Sequence, residues 1–271
     1  MNVAVTGAAL NVVTRGAGPV CLVLSSIGTR PYELQIPPAL DNHLTLAFVD
    51  VRGSGRSTGD AASLTFDRLA EDLEAVRAAL AAPRVVVLGH SIVGMLAVEY
   101  ARRCPDTVSH AIIVGTPPHG DMTALVAKST AYFLEHASDE RKRLLQENMA
   151  RLPPGTPPAQ AIFAQTPLRF FDPLFDAPPL FAGAEPRPEI LGHLLGTLAP
   201  GWDVTAGAAL RGPLLIAHGR HDYTVPHLLW DDVVPRLPTA TMRLFERSGH
   251  QPFAEEPERF TTELTGWLAS R

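Results

Sequence analysis

Val85-Val86-Val87-Leu88-Gly89-His90-Ser91-Ile92-Val93-Gly94 is the stretch that decides the fold. Four apolar residues in a row read as a short strand buried on both faces. The amphipathic run beyond, with Met95, Leu96, Val98 and Tyr100, reads as a helix. A strand that turns abruptly into a helix holds the hydroxyl of the serine at the turn clear of the backbone. It also aims the positive helix end at whatever the serine attacks. So sharp a turn asks for small residues beside it. Gly89 stands two positions before Ser91, but two positions after it stands Val93, with glycine delayed to Gly94. The match to Gly-x-Ser-x-Gly is partial, so the case for Ser91 depends on partners elsewhere in the chain.

Outward from this turn, strands alternate with helices. Met1 to Arg15 reads as two short strands around Gly7. Val20 to Leu24 opens into Ser25-Ser26-Ile27-Gly28, and Leu44 to Val49 closes in the turn-rich loop Asp50 to Ser57. Leu69, Leu73, Val76 and Leu80 recur at helical spacing until Pro83. Val108 to Val114, Leu214 to Ala217 and Thr241 to Phe245 are further strands. Phe260, Leu264, Trp267 and Leu268 mark a closing helix. The pattern predicts an α/β fold with a mostly parallel central sheet and helices on both faces. The alternation lapses between Pro117 and Thr205. Helical stretches there (Met122 to His136, Glu140 to Arg151) precede a proline-dense, phenylalanine-rich segment from Pro153 to Pro188. Residues 1–116 and 206–271 are thus expected to form the core. Residues 117–205 would be a helical, proline-rich lid over the sheet's carboxyl edge, where such sheets bind ligands.

Composition narrows the functional classes. Of 271 residues 46% are hydrophobic, yet no apolar run is long enough to span a bilayer. A net charge of −5 argues against nucleic acid or an anionic membrane as partner, and for a small-molecule substrate. The two cysteines make no disulfide framework. With Cys21 in a predicted buried strand they read as reduced thiols, and the N-terminus lacks a secretory pattern, so a cytoplasmic protein is expected.

A serine hydroxyl is a poor nucleophile without a base in hydrogen-bond reach, itself oriented by a third group. On a parallel sheet these groups come from loops at the carboxyl edge. The strand ending at Ala217 runs into His218-Gly219-Arg220-His221-Asp222, and the strand ending at Phe245 into Glu246-Arg247-Ser248-Gly249-His250. Serine, acid, histidine is therefore the chain order of Ser91, Asp222 and His250. Asp203, Asp231 and Asp232 compete with Asp222 for the acid's place. Ser91 as a helix cap and His250 as a surface histidine are the plain alternatives. Ser54 reads as a turn residue, and Asp50 and Arg52 as braces of their loop. His218 and His221 follow a strand and lack an obvious third ligand, so neither a metal nor an organic cofactor is expected.

With these motifs in order, the chain resembles α/β-hydrolase-fold enzymes over essentially its whole length. Leu24-Ser25-Ser26-Ile27-Gly28-Thr29 is similar to the oxyanion loop of enol-lactonase-like members. Phe171-Asp172-Pro173-Leu174-Phe175-Asp176 and Trp202-Asp203 are similar to proline-iminopeptidase-like members. The resemblance implies Ser91 as nucleophile, His250 as base, Asp222 as its orienting acid, and the backbone N–H groups of Ile27 and Ile92 as oxyanion donors. Phe170, Phe171, Phe175 and Phe181 are candidates for an apolar substrate pocket. The expected reaction is hydrolysis of carboxylic ester or lactone bonds in small, fairly apolar substrates, falling off in acid as the base becomes protonated. The alternative is an aminopeptidase releasing N-terminal proline, which needs a lid carboxylate such as Glu185 or Glu189 to meet the substrate amine. Perhydrolysis, C–C bond cleavage and non-catalytic ligand binding are further readings of the same apparatus.

Overall fold

Eight strands form one sheet in a computed structural model of the chain, which describes residues 1–156 and 161–270. They are β1 (Asn2–Val5), β2 (Ala8–Gly16), β3 (Val20–Ser25), β4 (Thr45–Asp50), β5 (Val85–His90), β6 (Val108–Val114), β7 (Leu214–Gly219) and β8 (Ala240–Phe245). The spatial order is β1-β2-β4-β3-β5-β6-β7-β8. Only the pairings of β1 with β2 and β2 with β4 are antiparallel; β3 through β8 run parallel.

The period-two geometry of a strand splits the apolar residues between two faces. Leu22, Leu24, Val85, Val87, Ile113 and Ile216 face helices α2 (Phe66–Ala79) and α3 (Gly94–Arg103), meeting Leu69, Leu73, Val76 and Leu96. Cys21, Val23, Val86, Leu88, Ile112, Val114 and Leu215 face the other way. Their partners are Tyr32 and Ile36, at helix α1 (Thr29–Gln35) and its end, and Phe260, Leu264 and Trp267 of the closing helix Pro257–Ala269. Cys21 is fully buried there, and burial pushes its thiol up to about 12, as suits a core residue. Strands covered on both faces need no polar side, which explains their unbroken apolar runs.

Because β3 to β8 point one way, the loops after each gather along a single edge. Two of the strands outrun their apolar cores. β5 keeps pairing through Gly89 and His90, and β7 through His218 and Gly219, so the polar residues after them start from a rigid ladder.

Between β6 and β7 the described residues of 117–205 carry helices α4 (Met122–His136) and α5 (Asp139–Ala150), then shorter turns. Asp121 and Ser138 accept from the third N–H of α4 and α5 respectively, which fixes where both begin. No strand occurs among the described residues here beyond a single bridge between His119 and Asp203. Of the proline-dense stretch, residues 157–160 lie outside the described residues.

Candidate active site

Ser91 occupies the left-handed region, φ 55°, between extended His90 and the helical turn Ser91–Val93. That conformation costs a non-glycine residue about 1–2 kcal/mol and persists only where packing enforces it. The enforcing contacts explain the displaced glycine. A Cβ at Gly89 would lie 2.7 Å from the Gly94 Cα, and one at Gly94 would lie 1.9 Å from Thr116 Oγ1, just past β6. Glycine is thus required at 89 and 94. Val93 has ordinary helical angles (φ −71°, ψ −16°) and is 2% exposed in the core. Nothing at position 93 needs glycine, so the turn closes with the imperfect motif.

Asp222 and His250 meet at the same edge. His250 Nδ1 lies 2.7 Å from Asp222 Oδ2, and both side chains are essentially sealed from solvent. The other carboxylate oxygen, Oδ1, accepts the N–H groups of Thr224 (2.9 Å) and Val225 (2.8 Å). The competing acids stand elsewhere: Asp203 accepts the N–H and hydroxyl of Thr205, and Asp231 and Asp232 are exposed. His250 Nε2 is buried and has no hydrogen-bond partner. A Cβ at Gly115 would come within 3.0 Å of His250 Nδ1, so the imidazole rests directly on the backbone beyond β6.

His90, beside Ser91 in the chain, packs its ring 4.7 Å from that of His250. Its Nε2 is 2.9 Å from the His250 carbonyl, which only an Nε2–H can satisfy, and Nδ1 then accepts from the Tyr32 hydroxyl at 3.2 Å. Burial, with His250 alongside, holds His90 well below the ordinary histidine range, so it is a neutral strut.

The Ile27 N–H donates to Ser25 Oγ at 3.2 Å, while the Ile27 carbonyl accepts from Glu185 N at 2.7 Å. Ser25 Oγ in turn donates to the Gly28 carbonyl at 2.7 Å. Ile92 lies one residue past Ser91 in the helical turn. Ser54 donates to Val51 O and Ser25 O, and Arg52 forms a buried ion pair with Asp72. Both therefore hold the loop beside the site.

Of the four phenylalanines, Phe170 is 1% exposed and stacks on Phe175 with ring centroids 4.4 Å apart. Phe171 sits edge-on to His221 beneath the Arg247 guanidinium, and Phe181 meets Phe163. Each spends ring surface on packing. Glu185 pairs outward with Arg56 at 3.2 Å and Glu189 is exposed, so neither carboxylate is held for a substrate amine. His218 is buried against Thr116 O, and burial pulls it down to about 4. Among the described residues, no three His, Cys, Asp or Glu side chains gather to hold a metal ion.

Three further residues act here that no sequence periodicity signals. Arg141 of α5 donates to the carbonyls of Pro167 and Phe170 at 2.8 Å and also to that of Phe171. Glu255 accepts from Phe171 N (2.7 Å), Gly249 N (2.9 Å) and Gln251 N (3.2 Å), joining the Phe171 segment to the histidine loop. Burial pushes Glu255 up to about 8 against the pull of those N–H groups. Arg169 places its carbonyl 2.5 Å from His250 N.

Residues 24–257 match the family model described as alpha/beta hydrolase fold. The chain belongs to that family. It is a hydrolase-type enzyme built on the fold. An AB hydrolase superfamily protein of Bacillus subtilis (strain 168), YclE, is 32% identical over 231 residues, covering 82% of each chain. A pimeloyl-[acyl-carrier protein] methyl ester esterase of Cronobacter sakazakii (strain ATCC BAA-894) is 28% identical over 233 residues, 84% of each. Among solved structures, an alpha/beta fold family hydrolase from Bacillus anthracis str. Sterne superposes with a TM-score of 0.74 at 20% identity, covering 98% of this chain and 97% of that one. Among the described residues, no helix is long and apolar enough to cross a membrane.

Proposed function

We propose that this hydrolase cleaves carboxylic ester or lactone bonds of small substrates through Ser91, His250 and Asp222. The observation that carries the reading is the buried His250–Asp222 bond at 2.7 Å, with His250 Nε2 left unpartnered and its ring packed 4.7 Å from His90, the neighbour in the chain of a serine held at φ 55°. Ser91 Oγ attacks the acyl carbon as His250 Nε2 takes its proton. Asp222 holds Nδ1–H and stabilises the imidazolium. The leaving alcohol takes the proton from His250, and water then releases the acyl group by the same steps in reverse. The N–H groups of Ile92 and Ile27 receive the oxyanion. For Ile27 this means exchanging its long bond to Ser25 Oγ for a shorter one to charged oxygen, an exchange that favours the transition state.

The insertion 117–205 acts as the lid of this site, with its phenylalanines as the apolar surround. Curated relatives include methyl ester esterases, which supports ester over peptide bonds. The outward pairing of Glu185 and the exposure of Glu189 weigh in the same direction. The test is a panel of p-nitrophenyl esters and lactones against proline p-nitroanilide. Ser91→Ala is expected to abolish ester turnover with the melting temperature unchanged, since alanine keeps the Cβ and the φ 55° backbone and loses only the hydroxyl. Turnover that survives in Ser91→Ala, or a preference for the anilide, overturns the reading.

A further inference from the structure

The stretch Leu168 to Phe171 is tied to the rest of the hydrolase at nearly every peptide group. Leu168 O accepts from Tyr223 N at 3.0 Å and Arg169 O from His250 N at 2.5 Å. Phe170 O accepts from Arg141 at 2.8 Å, and Phe171 N donates to Glu255 at 2.7 Å. So firm a scaffold presents one charged side chain, Arg169. Among the described residues its guanidinium has no hydrogen-bond acceptor, and its Nε is buried. Its carbonyl holds His250 N, and its charge bears on both Asp222 and His90, so the arginine leaves the chain beside the candidate histidine.

Asp222 accepts three hydrogen bonds, and none of them comes from Arg169. Oδ2 is bound to His250, and Oδ1 holds the N–H groups of Thr224 and Val225. Arg169 is half-buried: its Nε is sealed without an acceptor among the described residues, which costs the fold, while its two terminal nitrogens are neither sealed nor bonded. Its planar fork matches a carboxylate in two parallel bonds.

We propose that Arg169 is a substrate-binding residue that receives a carboxylate, so that the preferred substrates are esters or lactones bearing a free carboxylate group. This rests on the ester-hydrolase reading above and narrows it. The acyl chain lies against the phenylalanines while its far end, or the acid of an opened lactone ring system, pairs with the arginine.

The experiment compares kcat/KM for the monomethyl and dimethyl esters of the straight-chain dicarboxylates from succinate to suberate. In the unaltered protein the free-acid ester is preferred for at least one chain length. In Arg169→Gln the ratio of free-acid to diester kcat/KM falls about tenfold to a hundredfold, mostly through KM, as expected for one charge-assisted pair. Arg169→Lys keeps more of that ratio than Gln does. Equal loss on both esters means Arg169 only packs the insertion, and an unmoved ratio means it meets no anion; either result overturns the proposal. Titration of the matching dicarboxylates, and of inorganic phosphate, into Ser91→Ala by calorimetry separates this proposal from the reading beneath it. Dicarboxylate binding that Arg169→Gln abolishes upholds the anion site even if no ester is hydrolysed. Ester turnover with no dicarboxylate binding sinks the anion site alone, and binding of phosphate but not carboxylate overturns the substrate class.

Discussion

Exchanging Val93 for glycine, the residue the Gly-x-Ser-x-Gly pattern asks for, is expected to weaken the hydrolase rather than relax its turn. Val93 is 2% exposed and has angles any residue adopts (φ −71°, ψ −16°). Its removal forfeits the burial of a valine side chain, about 1.5–3 kcal/mol, and adds the entropic cost of glycine, about 0.5–1 kcal/mol. The sum is roughly 2–4 kcal/mol of lost stability. Gly94→Ala probes the position where glycine is needed. Its new Cβ falls 1.9 Å from Thr116 Oγ1, 2.7 Å from Cγ2 and 2.8 Å from Cβ, an overpacking worth about 1–3 kcal/mol. Thr116→Ala removes the first two of those atoms, so the double variant recovers part of the loss. Urea unfolding of the four proteins supplies the cycle, with activity on a p-nitrophenyl ester followed in parallel. Gly94→Ala loses activity as well as stability, because the shift it forces passes to Ser91. A Val93→Gly protein as stable as the parent, or Gly94→Ala tolerated within about 0.5 kcal/mol, would refute this account of the turn.

Three other outcomes are expected. Burial holds Glu255 up to about 8, so above its ordinary value of 4.5 the native chain keeps a proton that the unfolded chain has released. Stability contributed by this group therefore declines as pH rises from 4.5 to about 8, and Glu255→Gln flattens that part of a melting-temperature profile; an unaltered slope counts against it. His218 shifts the other way. Held down to about 4, it refuses a proton that the unfolded chain takes below 6.5, so stability is lost from pH 6.5 towards 4, and His218→Gln makes urea midpoints less acid-sensitive. Arg141→Lys keeps the charge but not the fork that gathers three carbonyls, and is expected to raise KM for esters more than it lowers kcat. Identical kinetic constants would show that the insertion does not need this anchor.

The candidate residues of the site can be named from the sequence because their signals are local. Ser91, Asp222 and His250 each follow an apolar run by a few residues, and a parallel sheet brings such positions to one edge whatever the loops do in detail. Local signals stop at questions of approach. Asp222 is preferred to Asp203 in the sequence for its place just past a strand, but that its carboxylate reaches His250 is seen only in the tertiary structure. Glu255 and Arg141 carry no periodic signature: Arg141 gathers carbonyls 26 to 30 residues further on, and Glu255 reaches Phe171 N, 84 residues back.

The amino-acid sequence by itself determined the architecture: buried strands, the helices that cover them, and the chain order serine, acid, histidine of the candidate residues. Hydrophobic period and strand-end loops suffice for that, since burial acts on each segment separately. Tertiary structure alone decided why Gly94 replaces glycine at 93, which aspartate holds His250, and that Glu185 turns outward while, among the described residues, the Nε of Arg169 is left without an acceptor beside the His250 loop. Those outcomes depend on contacts of a few ångströms between segments up to 160 residues apart, as in the bond from His90 to the His250 carbonyl. No pattern within one segment encodes them.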